Sequence, residues 1–191
     1  LCLCVVVHAK ALTLVEFSMR TTWRWPRDHD EGDLIVSEMD EVIPALVAAV
    51  QEQHATGDHY RDDAIRQAME HQAQLALRPG PVRVDVIVDP PWSDGQINSV
   101  QVVTGDRPFL VDTVASCLLR HGWRVEDVRH PIIGVKRDRG TIEAVGMPGR
   151  GGCASESWIH IDATAPLGTD IGQAAEQLRD DLCACLDQVV C

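Results

Sequence analysis

The sequence predicts an α+β protein in which two helices cover one face of a sheet, with a small helical segment before it. Two observations predict this fold. From residue 99 onward, the hydrophobic residues follow the order strand, helix, strand, strand, helix. Before residue 80, the clearest hydrophobic patterns have helical spacing. A length of 191 residues suits one domain, or one domain with an appendage, and can enclose a core without disulfides or metal.

The first part of the chain, 1–36, is predicted to be an irregular segment, because tryptophans and a proline interrupt any simple period. The apolar start, Leu1 to Val7, lacks the basic leader and the small-residue cleavage site of a secretion signal. Position 1 is not Met, and a helical pattern reaches Cys191 without a cap. We therefore expect this chain to be cut from a longer one.

A helical segment is predicted over 37–80. Ser37 is a suitable N-cap for its first helix, and Pro44 predicts a kink or a late start. A second helical pattern runs from Tyr60 to Leu77 and is stopped by Arg78–Pro81. The first helix is indicated by apolar residues at helical spacing: Met39, Val42, Ile43, Leu46, Val47 and Val50.

The main domain is predicted over 81–191. It opens with a strand over 82–88, in which valines alternate with other residues, and a second strand over 99–104. A helix over 108–121 follows, with apolar residues on one face and a glycine just beyond its end.

An extended segment over 125–136, bent at Pro131, is predicted to pair with 141–147 as a hairpin. A further strand over 157–163 precedes an amphipathic helix over 170–190. This order gives most of a ferredoxin-like split βαβ unit. One edge strand is missing, and the strand of alternating valines is available to supply it.

The composition excludes some classes of function. A net charge of -12 would repel phosphate backbones, so we expect no nucleic-acid partner. The seven cysteines are an odd number without framework spacing, which favours free thiols in a reducing cytoplasm. No apolar run is long enough to span a bilayer, so no membrane contact is expected.

Three motifs are rejected as sites. Gly149 to Ala154 has the letters of a dinucleotide fingerprint, but the residues that follow alternate like a strand, so no cofactor is expected there. Cys183 and Cys185 would point to nearly opposite sides of a helix, so no metal is expected. His160 should lie on the opposite strand face from its two isoleucine neighbours, with a structural or solvent-facing role. No catalytic residue is assigned.

The most informative stretch is a predicted strand end, tight turn and helix start. Asp106 is predicted to cap the helix, and Pro108 to lie in its first turn. First-turn amides of a helix can hold a carboxylate, which makes this turn the predicted effector site. The residues alone favour the alternative, a purely structural turn. The predicted effector residues are Thr104, Gly105, Asp106, Arg107, Pro108, Phe109 and Leu110.

The same stretch carries a resemblance. DRPFLV is similar to the D-R-P-G-L-L turn of ACT domains, which bind amino acids or mediate regulatory assembly. The succession VVTGDRPFLVDTV, LLRHGWRVEDVRHPIIGVKRD and ESWIHID resembles the N-terminal region of large NAD-specific glutamate dehydrogenases. The likeness covers about 60–191 and is strong over 99–162. Departures are Gly105 in place of an acidic residue, a Gly-rich loop before Glu156, and Phe109 where generic ACT domains have glycine.

The resemblance implies a non-catalytic regulatory or assembly module with an ACT-like sheet. The parent enzyme would oxidise glutamate to 2-oxoglutarate and ammonia with NAD, and no cofactor is expected in this segment. Expected partners are the downstream domains of the same chain, further copies of the parent, and an amino-acid effector. Two alternatives remain: an amino-acid-sensing ACT domain of another regulated enzyme, and a small thiol-dependent enzyme.

Overall fold

The computed structural model describes residues 34–35, 39–54, 62–93 and 95–190. The predicted cap Ser37 lies outside these residues, as does nearly all of the segment predicted to be irregular. The helices are α1 (Met39–His54), α2 (Asp62–Ala76), α3 (Leu110–Arg120) and α4 (Ile171–Val190). The strands are β1 (Leu34–Ile35), β2 (Val82–Ile87), β3 (Asn98–Gly105), β4 (Arg124–Arg129), β5 (Ile132–Asp138), β6 (Thr141–Gly146) and β7 (Ala154–Thr164).

Within the described residues, the strands form one antiparallel sheet in the order β1-β6-β5-β7-β3-β2, with β4 also paired to β7. The mixed helix-and-sheet fold predicted from the sequence is confirmed. Strand β2 pairs with β3 from Val82↔Thr104 to Ile87↔Ser99, so the alternating valines do supply the edge strand. The two-residue strand β1, at the other edge, was not predicted.

Strands β4 and β5 are two halves of one extended segment, interrupted at His130 and Pro131 as the sequence predicted. Both halves lie along β7, in a single register from Asp127↔Asp162 to Val135↔Ala154. Strand β5 then turns back into β6, which confirms the predicted hairpin.

Helices α3 and α4 pack on the same face of the sheet, as predicted. Their apolar stripes meet one row of side chains from β3 and β7, so this layer is continuous and apolar. Its fully buried members include Val100, Val102, Leu110, Val114, Leu118, Ile159, Ile161, Leu178, Leu182 and Leu186. Burying such side chains stabilises the fold by roughly 1.5–3 kcal/mol each before the loss of conformational entropy is subtracted.

Helices α1 and α2 cover the opposite face. Their apolar residues, among them Leu46 and Ala73, pack against Val103, Ile133 and Trp158 of the sheet. The sheet is therefore enclosed between two helical layers. The sequence predicted these helices as a preceding segment, and their position on the sheet is a feature of the tertiary structure alone.

The start of α3 differs from the prediction. The helix begins at Leu110, and its N-cap is Phe109, which has a left-handed conformation (φ 69°, ψ 10°) and gives no side-chain cap. The prediction that Asp106 caps this helix is wrong, and Pro108 lies before the first turn. Three residues, 107–109, separate Asp106 from the first residue of the helix. The Asp106 carboxylate therefore does not cap the first backbone amides of α3.

Candidate functional site

Polar side chains form two rows across the sheet face that α2 covers. In β3 and β7, every second residue points to this face. The pairing places Gln101, His160 and Arg129 in one row, and Ser99, Asp162 and Asp127 in the next. Four of the six residues are at most 6% exposed: Ser99, Gln101, His160 and Asp162. We refer to the six residues as the polar network.

Gln101 fixes the orientation of the network. Its Nε2 donates to the Ala68 carbonyl of α2 (2.9 Å), which can only accept, so the amide orientation is determined. The same Nε2 lies 3.2 Å from His160 Nδ1, which must then accept. The Gln101 Oε1 accepts from His71 Nδ1 at 2.8 Å. His160 therefore carries its proton on Nε2 when it is neutral.

That proton is donated to Asp162 Oδ1 at 2.9 Å, and the other Asp162 oxygen is paired with Arg129. Burial lowers the pKa of His160. The hydrogen bond to Asp162 opposes this effect, whereas the nearby Arg129 charge adds to it, and the net pKa is lowered. Burial alone would raise the pKa of Asp162, but the His160 hydrogen bond and the Arg129 charge outweigh it, so the net pKa is lowered. The stable state is a neutral imidazole beside an ionised carboxylate.

The network reaches the surface at its other end. His71 on α2 is 3.9 Å from Asp85 Oδ2, and Arg78 pairs with the same oxygen at 2.9 Å. The His71 ring also lies against Trp92, with centroids 5.4 Å apart. The indole of Trp92 donates to Ser99 Oγ at 3.1 Å.

A small crevice opens beside His160 between the helices and the sheet. Its volume is about 10 Å³, which is room for about one water molecule. Both ring nitrogens of His160 already have protein partners, and the crevice has no space for a substrate. Its lining residues are Val50, Ala68, Met69, Gln72, Arg129, Pro131 and His160.

A second charged cluster lies on the same face, at the start of β7. Arg137 forms a bidentate pair with Glu156, at 2.6 and 3.0 Å. Arg83, which is 6% exposed, donates from Nε to the Arg78 carbonyl. Burial lowers the pKa of Arg83, and the Arg137 charge adds to this effect, while Glu156 opposes it. The Glu156 carboxylate therefore compensates two guanidinium groups, that of the buried Arg83 and that of the partly buried Arg137.

The predicted effector turn lies at the end of β3. Thr104 is buried and donates from Oγ1 to the Pro81 carbonyl (3.0 Å), and Gly105 pairs with Glu156 in the sheet. Asp106 is held on β7: its amide donates to the Ser155 carbonyl (2.9 Å), and its Oδ1 accepts from Ser157 Oγ (2.6 Å).

Beyond Asp106, the turn faces solvent. Arg107 and Pro108 are exposed, and the Arg107 guanidinium donates to the Asp106 carbonyl. Phe109 is 75% exposed, so its ring extends away from the body of the fold, while Leu110 is buried at the start of α3. The structure thus places Asp106 and Arg107 side by side after the end of β3, separate from the polar network.

The arrangement of strands and helices agrees with a family match. A family model described as the glutamate dehydrogenase ACT1 domain matches residues 45–182, about three quarters of the chain. The chain belongs to this family. The resemblance of the sequence to the ACT-like region of a glutamate dehydrogenase is thereby confirmed, and the fold is ACT-like. A search of curated proteins found no significant match.

In this ACT1 domain, the ESWIHID stretch forms most of β7 and supplies both charged clusters. Glu156, Trp158, His160 and Asp162 point to one face, and the intervening isoleucines point to the other. His160 lies opposite Ile159 and Ile161, as predicted, but it is 4% exposed, so a solvent-facing position is wrong.

Sequence reasoning did not identify Gln101, Arg129 or Asp162 as partners of His160. The sequence did allow one of these partners to be predicted. Residues two apart on a strand share a face, so His160 and Asp162 are expected to lie next to each other. The other partners lie on different strands, and only the sheet register brings them together.

The remaining motifs have structural positions. Residues Gly149 to Cys153 lie in the loop between β6 and β7, Ala154 is the first residue of β7, and the strand predicted after the motif is present. Among the described residues, no group of three or more His, Cys, Asp or Glu is arranged to hold a metal ion. In the same part of the chain, no helix has the length and apolar character needed to cross a membrane.

Proposed function

We propose that this chain is a non-catalytic regulatory or assembly module of a large NAD-dependent glutamate dehydrogenase. The family match over 45–182 is the observation that carries the proposal. NAD dependence rests on the resemblance of VVTGDRPFLVDTV and ESWIHID to the NAD-specific enzymes. The parent would act in the cytoplasm as a homo-oligomer, and this module would transmit its state to the downstream domains of the same chain.

The non-catalytic role is supported by how the buried polar groups are used. A general base needs a free lone pair directed at a substrate. In His160, Nδ1 accepts from Gln101 and Nε2 donates to Asp162, so neither nitrogen faces an open cleft. Arg137 and Glu156 are likewise directed at each other. These groups stabilise the module and join its strands.

We place the regulatory contact at the turn from Thr104 to Leu110. Asp106 and Arg107 offer opposite charges at one edge, which suits the ammonium and carboxylate of an amino acid. The exposed ring of Phe109 suits a contact with a neighbouring module instead. The turn would serve as an effector site in the first case and as an assembly surface in the second.

The test uses the full-length enzyme carrying Arg107→Ala, with Arg150→Ala in the exposed β6–β7 loop as control. Glutamate oxidation is measured at saturating NAD, with and without a panel of amino acids, and oligomeric state is measured by light scattering. We expect both variants to keep kcat within about twofold of the unmodified enzyme without effector. Only Arg107→Ala should change the amino-acid response or the oligomeric state.

A loss of kcat by about a hundredfold in folded Arg107→Ala would contradict the non-catalytic role. An unchanged amino-acid response together with an unchanged oligomeric state would contradict the placement of the contact. Circular dichroism on each variant separates both results from simple unfolding.

A further inference from the structure

Two cysteines face each other across the helix pair α3 and α4. The helices are antiparallel, because each follows one of the antiparallel strands β3 and β7 and runs back along the same face. His121 Nε2 lies 2.8 Å from Asp181 Oδ2, which fixes the register of the pair. Cys117 lies one helical turn before His121, and Cys185 lies one turn after Asp181. In an antiparallel pair, these two positions are neighbours.

The two thiols share a cationic neighbour. Arg120 Nη2 donates to Cys185 Sγ at 3.2 Å. The Cys117 thiol lies beside both the Arg120 side chain and the Cys185 thiol. Cys117 is fully buried, whereas Cys185 is half-buried. An oxidant in solution would therefore react with Cys185 first. The Arg120 guanidinium lies beside the sulfur atom of Cys185, which carries the negative charge in the reacting thiolate.

We propose that Cys117 and Cys185 form a reversible disulfide when a peroxide oxidises Cys185. Cys185 loses its proton to solvent, and its thiolate attacks one oxygen of hydrogen peroxide. The O–O bond breaks, hydroxide leaves and is protonated to water, and Cys185 becomes a sulfenic acid. The Cys117 sulfur then attacks the Cys185 sulfur, the S–O bond breaks, and the departing oxygen takes the Cys117 proton as a second water.

The disulfide would tie the C-terminal part of α3 to the C-terminal part of α4. Burial raises the pKa of the Cys117 thiol and so favours its protonated form in the reduced protein. Helix α3 begins at Leu110, the last residue of the turn, so the link would restrain the helix that leads from this turn. The inference rests on the helix pair and is independent of the proposed glutamate dehydrogenase role.

The test treats the full chain with hydrogen peroxide and maps its peptides by mass spectrometry without reduction. Cys183 is the matched control, because it lies two residues from Cys185 on α4 and is also partly buried. We expect a linked peptide containing Cys117 and Cys185, with the loss of two titratable thiols, both reversed by dithiothreitol. Cys183→Ser should form the same link.

In Cys117→Ser, the Cys185 sulfenic acid should accumulate and be trapped by a cyclic diketone reagent. In Cys185→Ser, Cys117 should stay reduced. A link from Cys185 to any other cysteine, or oxidation of Cys185 to sulfinic acid without a linked peptide in the unmodified chain, would overturn the proposal. The peptide map reads the folded, unmodified chain directly, so the conclusion does not depend on whether a variant folds.

Discussion

His160 and Asp162, two residues apart on β7, are joined by a 2.9 Å hydrogen bond on the sheet face that α2 covers. The pair resembles the base and carboxylate of a hydrolytic site only in its composition. Gln101 donates a hydrogen bond to the other imidazole nitrogen, Nδ1, and Arg129 pairs with the other carboxylate oxygen, Oδ2. All four groups are thereby engaged in joining three strands of the sheet.

The neutral state of His160 predicts acid sensitivity. Its pKa in the folded state is lowered by burial from an ordinary value of 6.5, so below that pH the unfolded chain binds a proton that the folded chain does not. Stability should therefore fall as the pH drops from about 7 towards 5. The Asp162 carboxylate does not contribute to this dependence, because its folded pKa is depressed and its stabilising effect is lost only at lower pH.

His160→Gln should reduce the slope of the free energy of unfolding against pH. The reduction corresponds to the uptake of up to one proton, or about 1.4 kcal/mol per pH unit. Unfolding by urea at a series of pH values between about 5 and 7 measures the slope for both proteins. An equally steep slope in His160→Gln would mean that His160 does not cause the acid sensitivity. His130, whose pKa is also lowered by burial, is the next residue to replace in that case.

Glu156→Gln should destabilise the fold strongly. The carboxylate compensates Arg137 and the buried Arg83, and removing one partner of a buried ion pair costs about 3–5 kcal/mol. The matched control is Glu143→Gln, because Glu143 pairs with Lys136 at 3.3 Å with both side chains about half exposed. That change should cost less than about 1 kcal/mol. Equal midpoints of urea unfolding for the two variants would contradict the compensating role of Glu156.

Gly134→Ala should be poorly tolerated. A Cβ at this position would press on the Gly146 carbonyl and lie 2.6 Å from the Met147 carbonyl oxygen, both parts of the backbone. Strands β5 and β6 would have to separate, at a cost of roughly 1–3 kcal/mol. Gly105→Ala is the control, since no atom lies within 4 Å of its added Cβ. Thermal unfolding should separate the two variants, and a Gly134→Ala protein as stable as the control would refute the close approach.

Phe109→Gly should stabilise the fold. Phe109 has a positive φ of 69°, which favours glycine, and its ring buries little surface at 75% exposure. The expected gain is about 0.5–1 kcal/mol, after the entropy that glycine adds to the unfolded state. Phe109→Ala keeps the unfavourable φ and should show no gain. If alanine stabilises as much as glycine, the strain at this N-cap is not the cause.

The sequence predicted the strands and helices of 81–191 well, because each has a local hydrophobic period and clear stop signals. The valines of β2, the stripe of α4 and the bend at Pro131 are examples. The cap of α3 was predicted wrongly. An aspartate shortly before a helix is a common N-cap. In the structure, however, the Asp106 carboxylate accepts a hydrogen bond from Ser157 instead.

By itself, the sequence determined the order of elements, the apolar faces of α3 and α4, and the family. Only the tertiary structure decided that α1 and α2 close the second face, and that Gln101, Arg129 and His160 meet there. The physical reason is the range of the interactions. A period of two or 3.6 residues depends on neighbouring positions in the chain, whereas a hydrogen bond across strands depends on a register set by the whole sheet.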